Sequence, residues 1–374
     1  MSPWQDEAGN LWGRYDADTE TQEQFTKDEM PVLLLGSHLD TVANAGRYDG
    51  ILGVLSAIEI IEHFNENDIR FPFAIEVVAF ADEEGARFGS TLLGSRAVAG
   101  TWSEDWFSLQ DSNGISLAQA FKDFGLAPEH VYQADRSRNK LLAYIELHIE
   151  QGPVLEENNL PVGVVSSIAG ARRFTLVFEG DAGHAGTVPM SMRHDPLVAA
   201  AGAIERIENV AKLNQIVATV GKIKCYPDAI NIIPGRCELS LDIRSGVDRT
   251  RDVSVDQIFS SIESICEGRE VEFSFKEIHN APAVSCASWI QRFMEDVVQS
   301  HQVRPISLVS GAGHDAMAFN GVTEIGMLFL RCAGGVSHNP EESVTLDDVN
   351  SGLNIFSDTV IKFAQIYSEN LPVS

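Results

Sequence analysis

Five short segments of this chain concentrate histidines and carboxylates: Gly36-Ser37-His38-Leu39-Asp40, Tyr48-Asp49-Gly50, Asp82-Glu83-Glu84-Gly85, Glu146-Leu147-His148 and Ser337-His338-Asn339. A single His or Asp in a loop is usually a helix cap or a solvated side chain. The adjacent pair Glu83 and Glu84 is harder to read that way, because neighbouring anions repel unless a positive group compensates them. Three histidines with two or three carboxylates, drawn from separate segments, form the ligand set of a dinuclear divalent-metal site. Imidazole suits zinc, and added carboxylates admit manganese or cobalt.

These segments follow stretches that read as strands. Residues 31–36 (PVLLLG), 73–81 (FAIEVVAFA) and 142–149 have the continuous apolar character of buried strands, and residues 53–64 carry helical apolar spacing. Strand, helix and strand in this order predict an α/β catalytic domain with a largely parallel central sheet flanked by helices. In such sheets the chemistry gathers at the carboxyl ends of the strands. A different rhythm begins near Gly170: a strand at 173–179, a helix at 196–207, a strand at 216–224, an alternating strand at 237–244, a helix at 255–267 and a strand at 271–278. That β-α-β-β-α-β order predicts a ferredoxin-like α+β insertion. The expected division is a discontinuous catalytic, metal-binding domain at 1–167 and 281–374, with a lid and dimerisation domain inserted at 168–280. The acidic stretch 16–29 reads as a solvated loop.

Composition narrows the function. The chain has 374 residues, with 27 Lys+Arg against 54 Asp+Glu for a formal charge of −27. Such acidity excludes phosphate-backbone recognition, which needs clustered cations, and docking on anionic membranes. Five scattered cysteines without a CxxC pair predict neither a disulfide framework nor a thiolate zinc site, and favour a reducing cytoplasm. The start lacks a basic and apolar leader, and no apolar run is long enough to span a membrane.

The strings GSHLDTV, GRYDGILGV, DEEGARFG, ELHIEQGPVLE, GHAGTVPMSMRHDP, NIIPG, SGAGHDAMAF and SHNPEE carry a resemblance. In this order they resemble the dinuclear metallohydrolases of metallopeptidase family 20, which include aminoacylases, carboxypeptidase G and N-carbamoyl-L-amino-acid hydrolases. The resemblance implies two divalent metal ions per subunit (Zn2+, Mn2+ or Co2+). His38 and His148 would bind one, Glu84 and His338 the other, and Asp49 would bridge them. The Asp40 carboxylate would orient His38 through its second ring nitrogen. Glu83 would be the general base, taking a proton from water held between the metals. His184, by itself a histidine beside a glycine turn, would reach across a homodimer interface and stabilise the tetrahedral oxyanion. Asn231 and Arg244 would hold the substrate carboxylate, an Arg fork suiting bidentate recognition. Gln151 and the backbone near Gly313 would contact the ureido group. His63, His130, His279 and His301 read as solvated and without partners, and His314 as supporting a ligand or capping a helix.

His148 in ELHIEQGP resembles the ureido-hydrolysing branch, since peptidase branches usually place a carboxylate there. GHAGTVPMSMR, SGAGHDAMA and GMLFLRCAGGVSHNP are most similar to the allantoate amidohydrolases. The first expectation is therefore cleavage of allantoate to ureidoglycine, ammonia and carbon dioxide by a cytoplasmic enzyme of purine catabolism. An N-carbamoyl-L-amino-acid hydrolase or β-ureidopropionase is the alternative. A dinuclear aminopeptidase or aminoacylase, or an inactive homologue that binds a small acid, stands behind both. The chain begins near AGNLWGRYD, without the helical segment that family members usually carry there. A version extended upstream is expected to be more stable.

Overall fold

The four strands that carry the chemistry have almost no exposed residue, which is why they read as unbroken apolar runs rather than as alternation. In the computed structural model, which describes residues 1–26 and 29–369, Val32–His38 and Ala74–Phe80 are buried at every position. Leu141–Ile149 is buried from Ala143 onward, and Ile325–Leu330 throughout.

The chain divides into two compact units, Met1–Ser166 with Ser285–Ser374, and Ser167–Val284. In the first unit the sheet runs Ser2–Gln5, Leu11–Tyr15, Ala74–Phe80, Val32–His38, Leu141–Ile149, Ile325–Leu330, Val162–Ile168. The four inner strands are mutually parallel and the outer ones antiparallel. It is a mixed α/β fold with a largely parallel centre. Helices Ile51–Glu66, Ser288–Ser300 and Leu346–Glu369 set apolar faces against it, with Ile60, Ile61, Phe64, Phe293, Met294, Ile355, Phe356 and Phe363 in one core cluster. Glu76, buried within Ala74–Phe80, is matched by Arg14 at 2.7 Å and Arg136 at 2.9 Å, so the core holds no uncompensated charge there.

The strand order places the site. From Val32–His38 the chain steps outward to Ala74–Phe80, then crosses back to Leu141–Ile149 on the other side of the first strand. The order reverses between Val32–His38 and Leu141–Ile149, and a crevice opens at the carboxyl ends of such a pair. His38 is the last residue of one strand, and His148 the penultimate residue of the other.

In the second unit, Gly170–Glu179 lies between Arg236–Ser245 and Glu272–Ala281, all antiparallel. The alternation predicted for 237–244 is realised: Cys237, Leu239, Leu241 and Ile243 are buried while their neighbours are half exposed. These residues, with Phe174, Leu176 and Phe178, pack against helices Pro196–Asn214 and Asp248–Glu267. The first of those helices starts cleanly, with Asp195 accepting from Leu197 and Val198 N–H and Pro196 at the first turn. The strand predicted at 216–224 is instead two, Val217–Thr219 and Ile223–Tyr226. The break falls where the Ser240 hydroxyl accepts the Lys222 N–H and interrupts the ladder. Within the stretch 16–29 the predicted loop contains a short helix, Thr19–Gln24. Asp18 caps it by accepting from Thr21 N–H, which the acidic composition concealed. Lys27 and Asp28 of that stretch lie outside the described residues.

Candidate metal centre

The strand ends bring three imidazoles and three carboxylates of the first unit together. The His38 Nδ1 lies 2.9 Å from the Asp40 carbonyl oxygen, and the His148 Nδ1 lies 2.8 Å from that of Ile149. A carbonyl can only accept, so each Nδ1 carries a proton and each Nε2 is the nitrogen left to face inward. The two Nε2 atoms are 3.5 Å apart.

Asp49 stands between two groups. Its Oδ1 is 3.1 Å from His148 Nε2 and 3.6 Å from His38 Nε2, whereas Oδ2 is 3.0 Å from His338 Nε2. Glu84 Oε1 completes the second group, 3.3 Å from His338 Nε2. That oxygen is buried and has no hydrogen-bond partner among the described residues. The candidate ligand atoms of His38, Asp49 and His148 all lie within 4.8 Å of one another, as do those of Asp49, Glu84 and His338. The two triads share Asp49 alone.

Local backbone makes this possible. Asp49 precedes helix Ile51–Glu66 and is followed by Gly50 at φ +71°, where a Cβ would fall 2.3 Å from His38 Nδ1. Only glycine lets the chain pass the ring. Asp82 takes φ +56° to turn the chain after Ala74–Phe80. The Asp40 carboxylate then accepts the N–H of Glu83 at 2.9 Å and of Glu84 at 3.0 Å. The two glutamates diverge from this pinned turn: Glu83 Oε2 sits 4.0 Å from His38 Nε2, and Glu84 faces His338. Asp40 thus departs from its expected place. Its carbonyl orients His38, while its carboxylate is 3.8 Å from Nδ1 and spends both oxygens on the Glu83–Glu84 turn.

The electrostatics suit cations. Burial pulls the His38 and His148 imidazoles down, yet the bond to Asp49 and the surrounding anions outweigh it and hold both above their ordinary range. Burial likewise raises Asp49, but its bonds and charges with the two histidines hold it well below the carboxylate range. Glu83 is pushed well up, by burial first and by Asp315, Glu84 and Asp40 against the pull of His38. A pocket that draws protons onto imidazoles, keeps a buried carboxylate ionised and leaves a Glu84 oxygen without a hydrogen bond has the potential and donors for divalent ions. The residues fit such ions.

Several neighbours escaped the sequence reading. Glu342, only 4% exposed, accepts the N–H of Tyr48 at 2.9 Å and of Asp49 at 3.1 Å. Its other oxygen meets the Ser337 hydroxyl at 2.9 Å, which also lies 3.1 Å from Asp49 Oδ2. The second glutamate of SHNPEE was the available clue. Buried Asp315, next to His314, is pushed up to about 8, chiefly by burial. Glu146, His148 and His314 form a further cluster, but Ser37 and Tyr144 hydroxyls occupy both Glu146 oxygens. His314 is bonded to Ser310 Oγ at 2.7 Å, and its ring meets His148 edge to face at 4.6 Å.

Among the substrate contacts expected, Gln151 lies at the centre: its Nε2 donates to Asp49 Oδ2 at 2.9 Å, and its Oε1 is buried without a partner. Gly313 lies in the loop before the short helix Asp315–Phe319. His184, Asn231 and Arg244 belong to the second unit. Gly183–His184 pairs with Ile232–Ile233, and Ala185 N–H donates to the Asn231 carbonyl at 3.0 Å, so the first two are adjacent. The Arg244 guanidinium is held by the Asp242 carboxylate at 2.8 and 3.0 Å. His301, expected to lack a partner, pairs with Asp358 at 2.8 Å.

Histidines and carboxylates converging at the switch point of an α/β sheet present a candidate metal centre. The chain matches Peptidase family M20/M25/M40 over residues 34–362, and it belongs to that family. It is 41% identical over 363 residues to an N-carbamoyl-L-amino acid amidohydrolase of Geobacillus stearothermophilus, covering 97% of this chain and 87% of the relative. It is 38% identical over 384 residues to a probable allantoate deiminase of Oryza sativa subsp. japonica, covering 93% and 76%. Among solved structures, a hydantoinase/carbamoylase family amidase from Burkholderia multivorans superposes with a TM-score of 0.88 at 29% identity, covering 97% of this chain and 86% of that one. The chain is an amidohydrolase of carbon–nitrogen bonds. No helix among the described residues is long and apolar enough to cross a membrane.

Proposed function

We propose that this chain hydrolyses the ureido group of a small carboxylic acid, allantoate first, using two divalent ions held by His38, Asp49, Glu84, His148 and His338. The observation that carries the reading is the division of Asp49: one oxygen faces His38 and His148, the other His338, with Glu84 beside it. Ions so placed would lower the pKa of a water and polarise a carbonyl.

The remaining work falls to side chains. Glu83 is assigned as general base: it is buried, proton-seeking and kept off the ligand triads by the Asp40-pinned turn. It takes a proton from water and returns one to the departing nitrogen. Gln151, oriented by Asp49, offers its unpartnered Oε1 to a ureido N–H, and backbone N–H groups near Gly313 assist. His184 is assigned to the oxyanion, acting from the partner subunit of a homodimer. Asn231 and Arg244 are assigned to the substrate carboxylate, the guanidinium being one that can meet a planar carboxylate. We read the inserted unit as lid and dimerisation module. Its edge strand Glu272–Ala281 is mostly exposed, as a strand awaiting a second copy would be. Five free cysteines favour the cytoplasm.

Hydrolysis of allantoate would give ureidoglycine, ammonia and carbon dioxide. The second reading, an N-carbamoyl-L-amino acid, is favoured by the 41% identity to an amidohydrolase of that name. Ammonia release from both substrates at equal concentration decides between them. A kcat/KM higher for allantoate supports the first reading, and a higher value for N-carbamoyl-L-amino acids replaces it with the second.

A further inference from the structure

The sequence spacing of Cys225 and Cys237 gives no hint of a thiol pair, but the strand register makes one. Ile223–Tyr226 runs antiparallel to Arg236–Ser245 with Cys225 directly opposite Cys237, and the two Sγ atoms are 3.7 Å apart. Ser240 N–H donates to the Lys222 carbonyl in the same ladder. Counting by alternation from that bonded pair, Cys225 and Cys237 occupy a position without backbone hydrogen bonds, where opposed Cα atoms approach to about 4.5 Å. A disulfide accepts Cα separations of roughly 4.4–6.8 Å. Rotation of the two side chains therefore suffices to close the bond. Cys225 is partly exposed and Cys237 buried. The other three thiols, Cys266, Cys286 and Cys332, are each at most 4% exposed.

The pair also sits at the neck of a loop. One residue beyond Cys225, the Tyr226 carbonyl accepts the Gly235 N–H at 2.9 Å and closes the loop that carries Asn231. Within that loop Ile230 is fully exposed.

We propose that Cys225 and Cys237 form a reversible oxidation site, closing a cross-strand disulfide with a small disulfide oxidant and fixing the base of the Asn231 loop. The Cys225 thiolate attacks one sulfur of the oxidant, forming a mixed disulfide and releasing one thiolate. Cys237 then gives up its proton and attacks Cys225 Sγ, displacing the second. Two thiol protons pass to the two released thiolates, and two electrons pass from the protein to the oxidant. Burial and the neighbouring thiol hold Cys237 up to about 12, so the partly exposed Cys225 is the sulfur that attacks first.

The test uses the full chain and oxidised glutathione. Free thiols should fall from five to three, peptide mapping should return a 225–237 link, and dithiothreitol should reverse both. Cys225→Ser should keep its remaining thiols under the same treatment. Persistence of all five thiols, arrest at a glutathione adduct on Cys225, or a link to another cysteine would overturn the proposal. This arm needs no substrate, so it stands or fails apart from the assignment of the reaction. Coupling to the loop rests on the substrate-carboxylate role of Asn231. Fixing the loop should lower KM for the better of the two ureido substrates about 2–10-fold in the oxidised wild type and leave Cys225→Ser unmoved. A disulfide that forms without changing KM would refute the coupling.

Discussion

Glu342 accepts the backbone N–H of Asp49 at 3.1 Å through a carboxylate that is almost completely buried. The contact joins residues 293 positions apart and fixes the one carboxylate common to both ligand triads. Glu342→Ala removes the acceptor for two N–H groups and frees the segment that presents Asp49. Divalent-ion affinity is expected to fall about 10–100-fold, with Glu342→Gln less affected because an amide oxygen can still accept. Calorimetric titration of zinc or manganese checks this, and wild-type affinity in the alanine variant would refute it.

Gly50 is a second constraint on the same segment. Its φ is +71°, and a Cβ added there would meet His38 Nδ1 at 2.3 Å, so Gly50→Ala must displace either the ring or the start of helix Ile51–Glu66. A stability loss of about 1–3 kcal/mol is expected from the backbone alone, together with weakened metal binding. Thermal unfolding and metal content read the two effects, and an unchanged variant would remove the steric argument.

Glu83→Gln tests the base. Both Asp40 contacts to this turn are made by backbone N–H groups, so the substitution leaves the turn intact. Turnover should drop by about 10²–10⁴ while metal stoichiometry and melting temperature hold. Retained turnover would end the assignment.

The carboxylate clamp and the cross-subunit histidine predict different signatures. Arg244→Ala should raise KM by about 10–100-fold, the value of a charged hydrogen bond, with a smaller change in kcat. An unchanged KM would contradict the clamp. Mixed dimers of inactive Glu83→Gln and His184→Ala chains should recover part of the activity. Mixed dimers that stay inactive would argue against action across the interface.

The sequence and the structure agree where burial alone decides the outcome. Val32–His38 and Ala74–Phe80 are apolar because both faces are covered, and Cys237 to Ile243 alternates because one face is. The ends of the buried strands are therefore legible in the sequence, and His38 stands at one of them. Contacts made by backbone atoms are not. Asp40 was expected to hold His38 by its carboxylate, yet the carbonyl does so. Nothing in SHNPEE indicates which distant N–H groups the Glu342 carboxylate meets. The Cys225–Cys237 approach likewise depends on strand register, which spacing does not encode. Short local signals were also overridden: the Asp18 cap nucleates Thr19–Gln24 inside a stretch whose charge suggested a loop.

Two divalent ions held around Asp49 are proposed to drive hydrolysis of a ureido group. This is tested most directly by measuring ammonia release from allantoate and N-carbamoyl-L-amino acids after chelation and after titration with manganese, cobalt or zinc. Loss of activity on chelation is expected, with recovery that saturates at two ions per chain and at least one of these substrates turned over. Full activity in the chelated enzyme, saturation at one ion, or turnover confined to peptide and acyl-amide substrates would contradict it.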